Sequence, residues 1–151
     1  MAGANYTLEF GLEAATDDAT IIARTVQEVD AALERVIAAA STFNHNPTAF
    51  VVERPRFGPL QFPDHGLKID VDPRLGVAAL AWVGPDFDCP WVTKSDRPVP
   101  GASLHKDIDS ATPFPDDAAI TLDQLRAAVH EFRESGGHRP KCVEWQEADG
   151  W

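Results

Sequence analysis

The side chains that could do chemistry in this chain are few and far apart. His138 and Cys142 have three residues between them, with Cys89 a distant third candidate ligand. A structural zinc site draws close pairs of ligands from each end, whereas here every potential ligand is single. The plain expectation is a helix-end histidine and a small buried cysteine. A zinc deaminase needs His-x-Glu followed by Pro-Cys-x-x-Cys. This chain has no Cys-x-x-Cys, and His130 and Glu131 are adjacent instead of spaced. Asp-x-Asp occurs at Asp70/Asp72, Asp86/Asp88 and Asp107/Asp109. Such a pair can hold a divalent metal, but in a chain this acidic it is a weak motif, and Asp70/Asp72 are expected simply to flank a turn. His105 with Asp107 reads as either a base with its orienting carboxylate or a solvated loop pair. There is no Gly-x-Ser-x-Gly nucleophile elbow and no phosphate-cradling glycine loop. Ser135-Gly136-Gly137 ends a helix, so its dipole points the wrong way for an anion.

The wider composition turns attention from catalysis to binding. The chain has 151 residues, 13 basic and 24 acidic, for a net charge of −11. That length suits one domain with one core. The charge repels phosphate backbones and anionic lipid, which argues against nucleic acid or a membrane as direct partner and favours a basic protein; plain solubility is the alternative. The two cysteines, Cys89 and Cys142, could pair, but two cysteines so far apart make no disulfide framework. Met1 to Glu9 lacks a basic stretch followed by an apolar core, and no apolar run approaches the length of a membrane span. A reducing cytoplasm is the expected setting, with no cofactor.

The elements that would position these residues are legible in part. Tyr6 to Leu12 alternates as a strand, and Thr20 to Ala23 is a second candidate. Thr25-Val26-Gln27-Glu28 is a capping box that opens a helix running to about Ala40. Val26, Val29, Leu33, Val36 and Ile37 form its apolar stripe, and Asp30, Glu34 and Arg35 fall off it. Ser41 to Pro47 is loop, Ala49 to Glu53 is β-prone, and proline-punctuated coil follows. Leu67 to Val71 and Val77 to Val83 predict a hairpin turned by Asp72-Pro73-Arg74-Leu75-Gly76. Gly84 to Ala119 carries six prolines and many aspartates. Apart from a short strand at Trp91-Val92-Thr93 it reads as one long loop, the kind of segment that is functional or disordered. Thr121-Leu122-Asp123-Gln124 is a second capping box, with Ile120 able to staple onto Leu125. Leu122, Leu125, Val129 and Phe132 form the face of that helix, and Ser135-Gly136-Gly137 stops it. Lys141 to Gln146 is a terminal strand. The predicted class is α+β: a mostly antiparallel sheet packed against two main helices in a single domain spanning residues 1–151.

Of the tryptophans, Trp82 and Trp145 lie in predicted strands and are expected in the core, and Trp151 is a frayed terminus. Trp91 reads either as a binding anchor or as a residue that pins the loop down. The partner-binding candidates are therefore Asp86, Asp88, Trp91, Asp107 and Asp109, and no catalytic or metal-binding residue is nominated.

The last third of the chain resembles a known bacterial family. The residues concerned are Ile120-Thr121-Leu122, Arg126-Ala127-Ala128-Val129, Glu131-Phe132, Gly136-Gly137-His138-Arg139-Pro140 and Cys142-Val143-Glu144-Trp145-Gln146-Glu147. Gly76-Val77-Ala78-Ala79-Leu80 followed by Trp82, and the opening from Thr20 to Val36, match as well. In these segments the chain is similar to the actinobacterial immunity proteins numbered first among the Imm families of polymorphic toxin systems. The resemblance is strongest from Ile120 to Glu147, and the stretch from Asp86 to Asp117 lies outside it. It implies a non-enzymatic cytoplasmic protein that binds the catalytic domain of a cognate secreted toxin and blocks its active site or substrate groove. Such toxins are often nucleic-acid-directed, deaminases and nucleases among them, and basic where they grip nucleic acid. A binding or adaptor module of another assembly, and a small metal-dependent enzyme, are the alternatives in other functional classes.

Overall fold

The computed structural model describes residues 6–13, 18–40, 42–54, 56–60, 62–85 and 90–148. The chain opens with an antiparallel pair, β1 (Leu8–Glu13) and β2 (Asp18–Ala23). Alternation in β1 puts Leu8, Phe10 and Leu12 in the core. Helix α1 (Val26–Ala38) starts at Thr25, whose hydroxyl accepts from the Glu28 amide at 3.1 Å. Glu28 reaches one residue further back than a capping box requires, to the Arg24 amide at 2.7 Å. The buried stripe is Val29, Ala32, Leu33 and Val36. Val26, expected on it, sits at the helix start and stays 49% exposed.

Next come β3 (Thr48–Val51) and a small hairpin, β4 (Arg56–Phe57) with β5 (Phe62–Pro63), in what the prolines suggest is coil. The predicted central hairpin is present as β6 (Gly66–Asp72) and β7 (Val77–Val83), with Gly76 at φ +67 in the turn. Then follow β8 (Trp91–Lys94), the hairpin β9 (His105–Asp107) with β10 (Thr112–Pro113), and β11 (Ile120–Thr121). Helix α2 (Leu122–Glu134) has both bonds of its capping box, between Thr121 and Gln124. Its end is a Schellman turn: Gly137 N donates to Phe132 O and Gly136 N to Arg133 O, with both glycines at positive φ. Strand β12 (Glu144–Glu147) is last.

Among the described residues, eight strands form one antiparallel sheet ordered β12-β8-β7-β6-β3-β1-β2, with β11 also on β7. The two helices pack on one face of it, which makes a single α+β domain. Leu67, Ile69, Leu80 and Trp82 point to the helix side, where they meet Leu33, Leu125, Val129 and Phe132. The alternate residues Ala79 and Ala81 point the other way and would be bare alanines in water. They are covered by Leu104, Phe114, Ala118 and Ala119. The stretch from Gly84 to Ala119 is therefore not simply a long surface loop. Much of it is the lid of a second, smaller core, and its single apolar residues between prolines are the contacts that hold it there. Two further expectations change. Trp82 is fully buried, but Trp145 is only half-buried because β12 is an edge strand. Cys142 is exposed instead of buried.

Polar side chains close the places where the backbone pairing breaks. On its outer side β7 pairs with β8 at Ala81 and Trp82 and with β11 at Val77 and Ala78. The Leu80 amide falls in the gap. The fully buried Thr93 hydroxyl accepts from it at 3.2 Å and donates to Ala118 O at 2.7 Å. On the other side of the hairpin β3 pairs with β6 only at Lys68 and Leu67. Beyond that point the buried Asn46 amide donates to Ile69 O and His105 O and accepts from Ile108 N. Asp70 accepts from Val71 N and His105 N, and Asp72 from Arg74 N, Leu75 N and Ser103 N. A buried polar group that loses its partner costs about 1–3 kcal/mol. Thr93→Val, which keeps the shape and removes the hydroxyl, is expected to lower unfolding free energy by about that amount in a denaturant titration. Thr93→Ser should lose less, and a Thr93→Val protein with an unshifted midpoint would remove the bridge from the account of stability.

Candidate functional site

The residues singled out from sequence are dispersed. Asp86 and Asp88, with Cys89, lie outside the described residues. Trp91 begins β8, half-buried, and packs against the helix-side core with the Arg139 guanidinium 4.6 Å above its ring. Asp107 and Asp109 lie across the β6–β7 pair from it, at the tip of the β9–β10 hairpin that Asn46 and Asp70 tether. Asp107 organises that tip, accepting from Asp109 N and the Ser110 hydroxyl. The serine bond chiefly holds its carboxyl below the usual carboxylate range, against the opposing effect of desolvation. Asp109 is exposed. A groove of about 520 Å³ opens where the Lys94–Arg97 stretch meets Thr121, Gln124 and Glu144.

The combinations that resemble reactive centres are occupied by the fold. His105 does not pair with Asp107; its Nδ1 lies 3.9 Å from Asp70. Burial pushes the Asp70 carboxyl up against the opposing amides of His105 and Val71. Asp72 feels burial as well, yet the amides of Ser103 and Leu75 and the Arg74 guanidinium hold it below its ordinary range. These two aspartates bind backbone, and among the described residues no three His, Cys, Asp or Glu side chains gather to hold a metal ion. Although Cys142 is exposed as a residue, partial desolvation of its thiol, with the hydrogen bond and charge of the Glu131 carboxylate, pushes it up to about 11. A thiol so high is almost wholly protonated at neutral pH and a poor nucleophile.

One dyad escaped the sequence reading because its parts mean nothing until folded. Asp64 Oδ1 lies 2.8 Å from His65 Nδ1, and Asp64 Oδ2 accepts from Arg54 at 2.8 Å. An aspartate holding Nδ1 is the orienting half of a hydrolytic triad. Here Nε2, which would take a nucleophile's proton, accepts from the Val51 amide at 2.8 Å, and the residue is buried. The ring lies against Phe132 and edge-on to Phe50. His65 is thus a neutral, buried strut with its proton on Nδ1.

The segment from Gly136 to Trp145 is built as a latch. Arg54 donates to Gly136 O, and the buried Trp82 indole donates to Gly137 O at 3.1 Å. Gly137 packs so close to His65 that an added Cβ would lie 2.6 Å from the ring. Arg139 covers Trp91, the Trp145 indole donates to Pro140 O, and the Glu131 carboxylate accepts from the amides of Lys141 and Cys142. These contacts fasten the end of α2 and the edge strand β12 to the sheet.

A family model described as Immunity protein Imm1 matches residues 17–147. The chain belongs to the Imm1 immunity-protein family. Neither the curated proteins nor the solved structures provide a match. Membership carries a toxin-neutralising immunity function, implies a cognate toxin as partner, and places the chain among proteins that are generally non-enzymatic. No helix among the described residues is long and apolar enough to cross a membrane. Within this Imm1 member, the glycines, proline and tryptophan of the C-terminal segment work on the fold.

The latch makes stability depend on acid. Burial holds the His65 imidazole below its ordinary 6.5, the Arg54 charge adds to this, and Asp64 only partly opposes it. Below about pH 6.5 the unfolded chain binds a proton that the folded chain refuses, so stability falls as pH drops from there toward the folded value. For Asp64, burial alone would raise the carboxyl, but the bonds from His65 and Arg54 outweigh it and hold it below 3.8. Its contribution is present above that pH and lost below it. Unfolding free energy measured between pH 7.5 and 5 should decline with a slope of up to about 1.4 kcal/mol per pH unit from this histidine. His65→Gln should flatten the slope, and an identical slope in that variant would assign the acid sensitivity elsewhere.

Proposed function

We propose that this immunity protein binds the catalytic domain of a nucleic-acid-directed secreted toxin, such as a nuclease or deaminase, and occludes its active site or substrate groove within the cytoplasm. The observation that carries the reading is charge: 24 acidic against 13 basic residues in a member of a toxin-neutralising family. A protein that grips nucleic acid presents a basic surface, and an acidic inhibitor competes for that surface and is steered to it.

The proposed contact surface is the 84–119 segment, with Asp86, Asp88, Trp91, Asp107 and Asp109 as contacts. The open groove beside Lys94 and Arg97 supports it, since it gives this segment a concavity for a toxin loop. So does the way the segment is held: Thr93, Asn46 and Asp70 fix its base to the sheet while Asp109 stays exposed.

The first test is rescue of a bacterium expressing the neighbouring toxin domain, with affinity measured on the purified pair. Asp86→Lys with Asp88→Lys, and separately Asp109→Lys, should each weaken binding several-fold, chiefly through slower association, and leave the melting temperature nearly unchanged. Asp107 is unsuited to this test because its carboxylate caps the turn. Unaltered affinity in both variants would remove the segment as the interface, and failure to rescue by a folded, expressed protein would remove the toxin assignment.

A further inference from the structure

The two edges of the sheet are finished differently. Strand β12 carries Glu144 and Glu147, both exposed, and charges on an edge discourage pairing with another chain. Strand β2 has its one charge at its start, Asp18, and continues as Ala19-Thr20-Ile21-Ile22-Ala23 with neither charge nor proline. Its outward groups follow from the ladder. Val52 N donates to Thr7 O at 2.9 Å, in register with the β1–β3 pairing, so Thr7, Glu9 and Gly11 direct their backbone groups to β3. Leu8, Phe10 and Leu12 then face β2, and their partners Ala23, Ile21 and Ala19 face back. That leaves the amides and carbonyls of Thr20 and Ile22 pointing away from the sheet. Beside this edge runs a groove of about 240 Å³ lined by Ile21, Ile22, Glu28, Ala31, Ala32 and Arg35. Ile22 is 36% exposed.

We propose that β2 pairs antiparallel with β2 of a second copy of this chain, about a two-fold axis through Ile21. In that register Thr20 of each copy faces Ile22 of the other, so the outward amides and carbonyls of both residues find partners. The same axis runs the two α1 helices antiparallel. Glu28 and Arg35 stand symmetrically about the Ala31–Ala32 middle of the groove, and the two-fold therefore sets Glu28 of each copy toward Arg35 of the other. Arg35 makes none of the ion pairs found among the described residues. Backbone, apolar groove and charge are thus self-complementary, which is the requirement of an isologous interface. The charge of −11 on each copy opposes approach at long range, but at about 0.1 M salt it is screened beyond roughly 10 Å, while contact pairs at the interface persist.

Sedimentation equilibrium of the full chain tests this, with a dimer expected at about 10 μM, the range of a micromolar association. Thr20→Pro removes an outward amide, a change that an edge strand tolerates. It should weaken the dimer by roughly tenfold or more, while the melting temperature at concentrations too low for the dimer stays unchanged. Arg35→Glu should weaken it too, and adding Glu28→Lys to that variant should restore part of the loss. A protein monomeric at ten times that concentration, or a dimer indifferent to Thr20→Pro, overturns the proposal. So does a monomeric wild type whose toxin affinity falls in Thr20→Pro, because the edge would then belong to the toxin. The sedimentation readouts do not depend on the toxin assignment.

Discussion

The central hairpin β6–β7 is buried on both faces, and most of the remaining chain is arranged to cover it. Five successive buried residues of β7, Ala78 to Trp82, leave no room for a solvated side: Leu80 and Trp82 need the helices, and Ala79 and Ala81 need the 95–119 segment. Antiparallel sheets commonly leave one face to water; this one does so only away from its centre. Covering both faces with a chain of this length has a consequence for the ladder. Strands β8, β11 and β3 each pair with only part of the hairpin, so some backbone groups meet no strand. Side chains fill in, because an unpaired buried amide costs about 1–3 kcal/mol, more than a made bond contributes net. Thr93, Asn46 and Asp70 are therefore structural in the same sense as Leu80, although they are polar.

This division explains what could be read from the sequence. The helix cap at Thr25, the capping box at Thr121, the glycines after α2 and the turn at Asp72–Gly76 are local, because each is completed within a few residues. The α+β class and the two helices follow from such signals. The second core does not. Leu104 and Phe114 are isolated apolar residues in a proline-rich stretch, with no period to mark them, and their burial comes from β7 far back in the chain. The same holds for His65, whose partners Val51 and Phe132 are set by folding, and for Asn46, which bonds residues 59 and 62 positions away. Trp145 was readable as a strand residue but not as an edge residue, because strand order is a property of the whole sheet.

The candidate site was legible only as composition. An excess of carboxylates is visible in any listing of residues, but the structure separates Asp107, which caps its own turn, from Asp109, which faces solvent. Spacing alone could not make that distinction, since Asp-x-Asp looks the same at Asp70/Asp72, where both carboxylates are spent on backbone amides. The family resemblance was carried by the C-terminal segment for a related reason. Gly137 against His65, Trp82 on the Gly137 carbonyl and Arg139 over Trp91 restrict those positions through close packing, whereas an exposed carboxylate on a hairpin tip has no such neighbours to restrict it.

The reactive groups are bound into the same scheme. His65 has the aspartate that a catalytic base requires, but its free nitrogen is committed to the Val51 amide. Cys142 has a carboxylate beside it that holds the thiol protonated, and that carboxylate is itself engaged with the backbone of the latch. Releasing His65 would break its bond to the Val51 amide, and freeing the Cys142 thiol from Glu131 would disturb the carboxylate that holds the Lys141 and Cys142 amides. What these groups leave accessible to a partner is the exterior: surface carboxylates, a shallow groove and strand edges. Those are features for recognising another protein, and the interior chemistry that might have suggested an enzyme is instead what keeps that exterior in place.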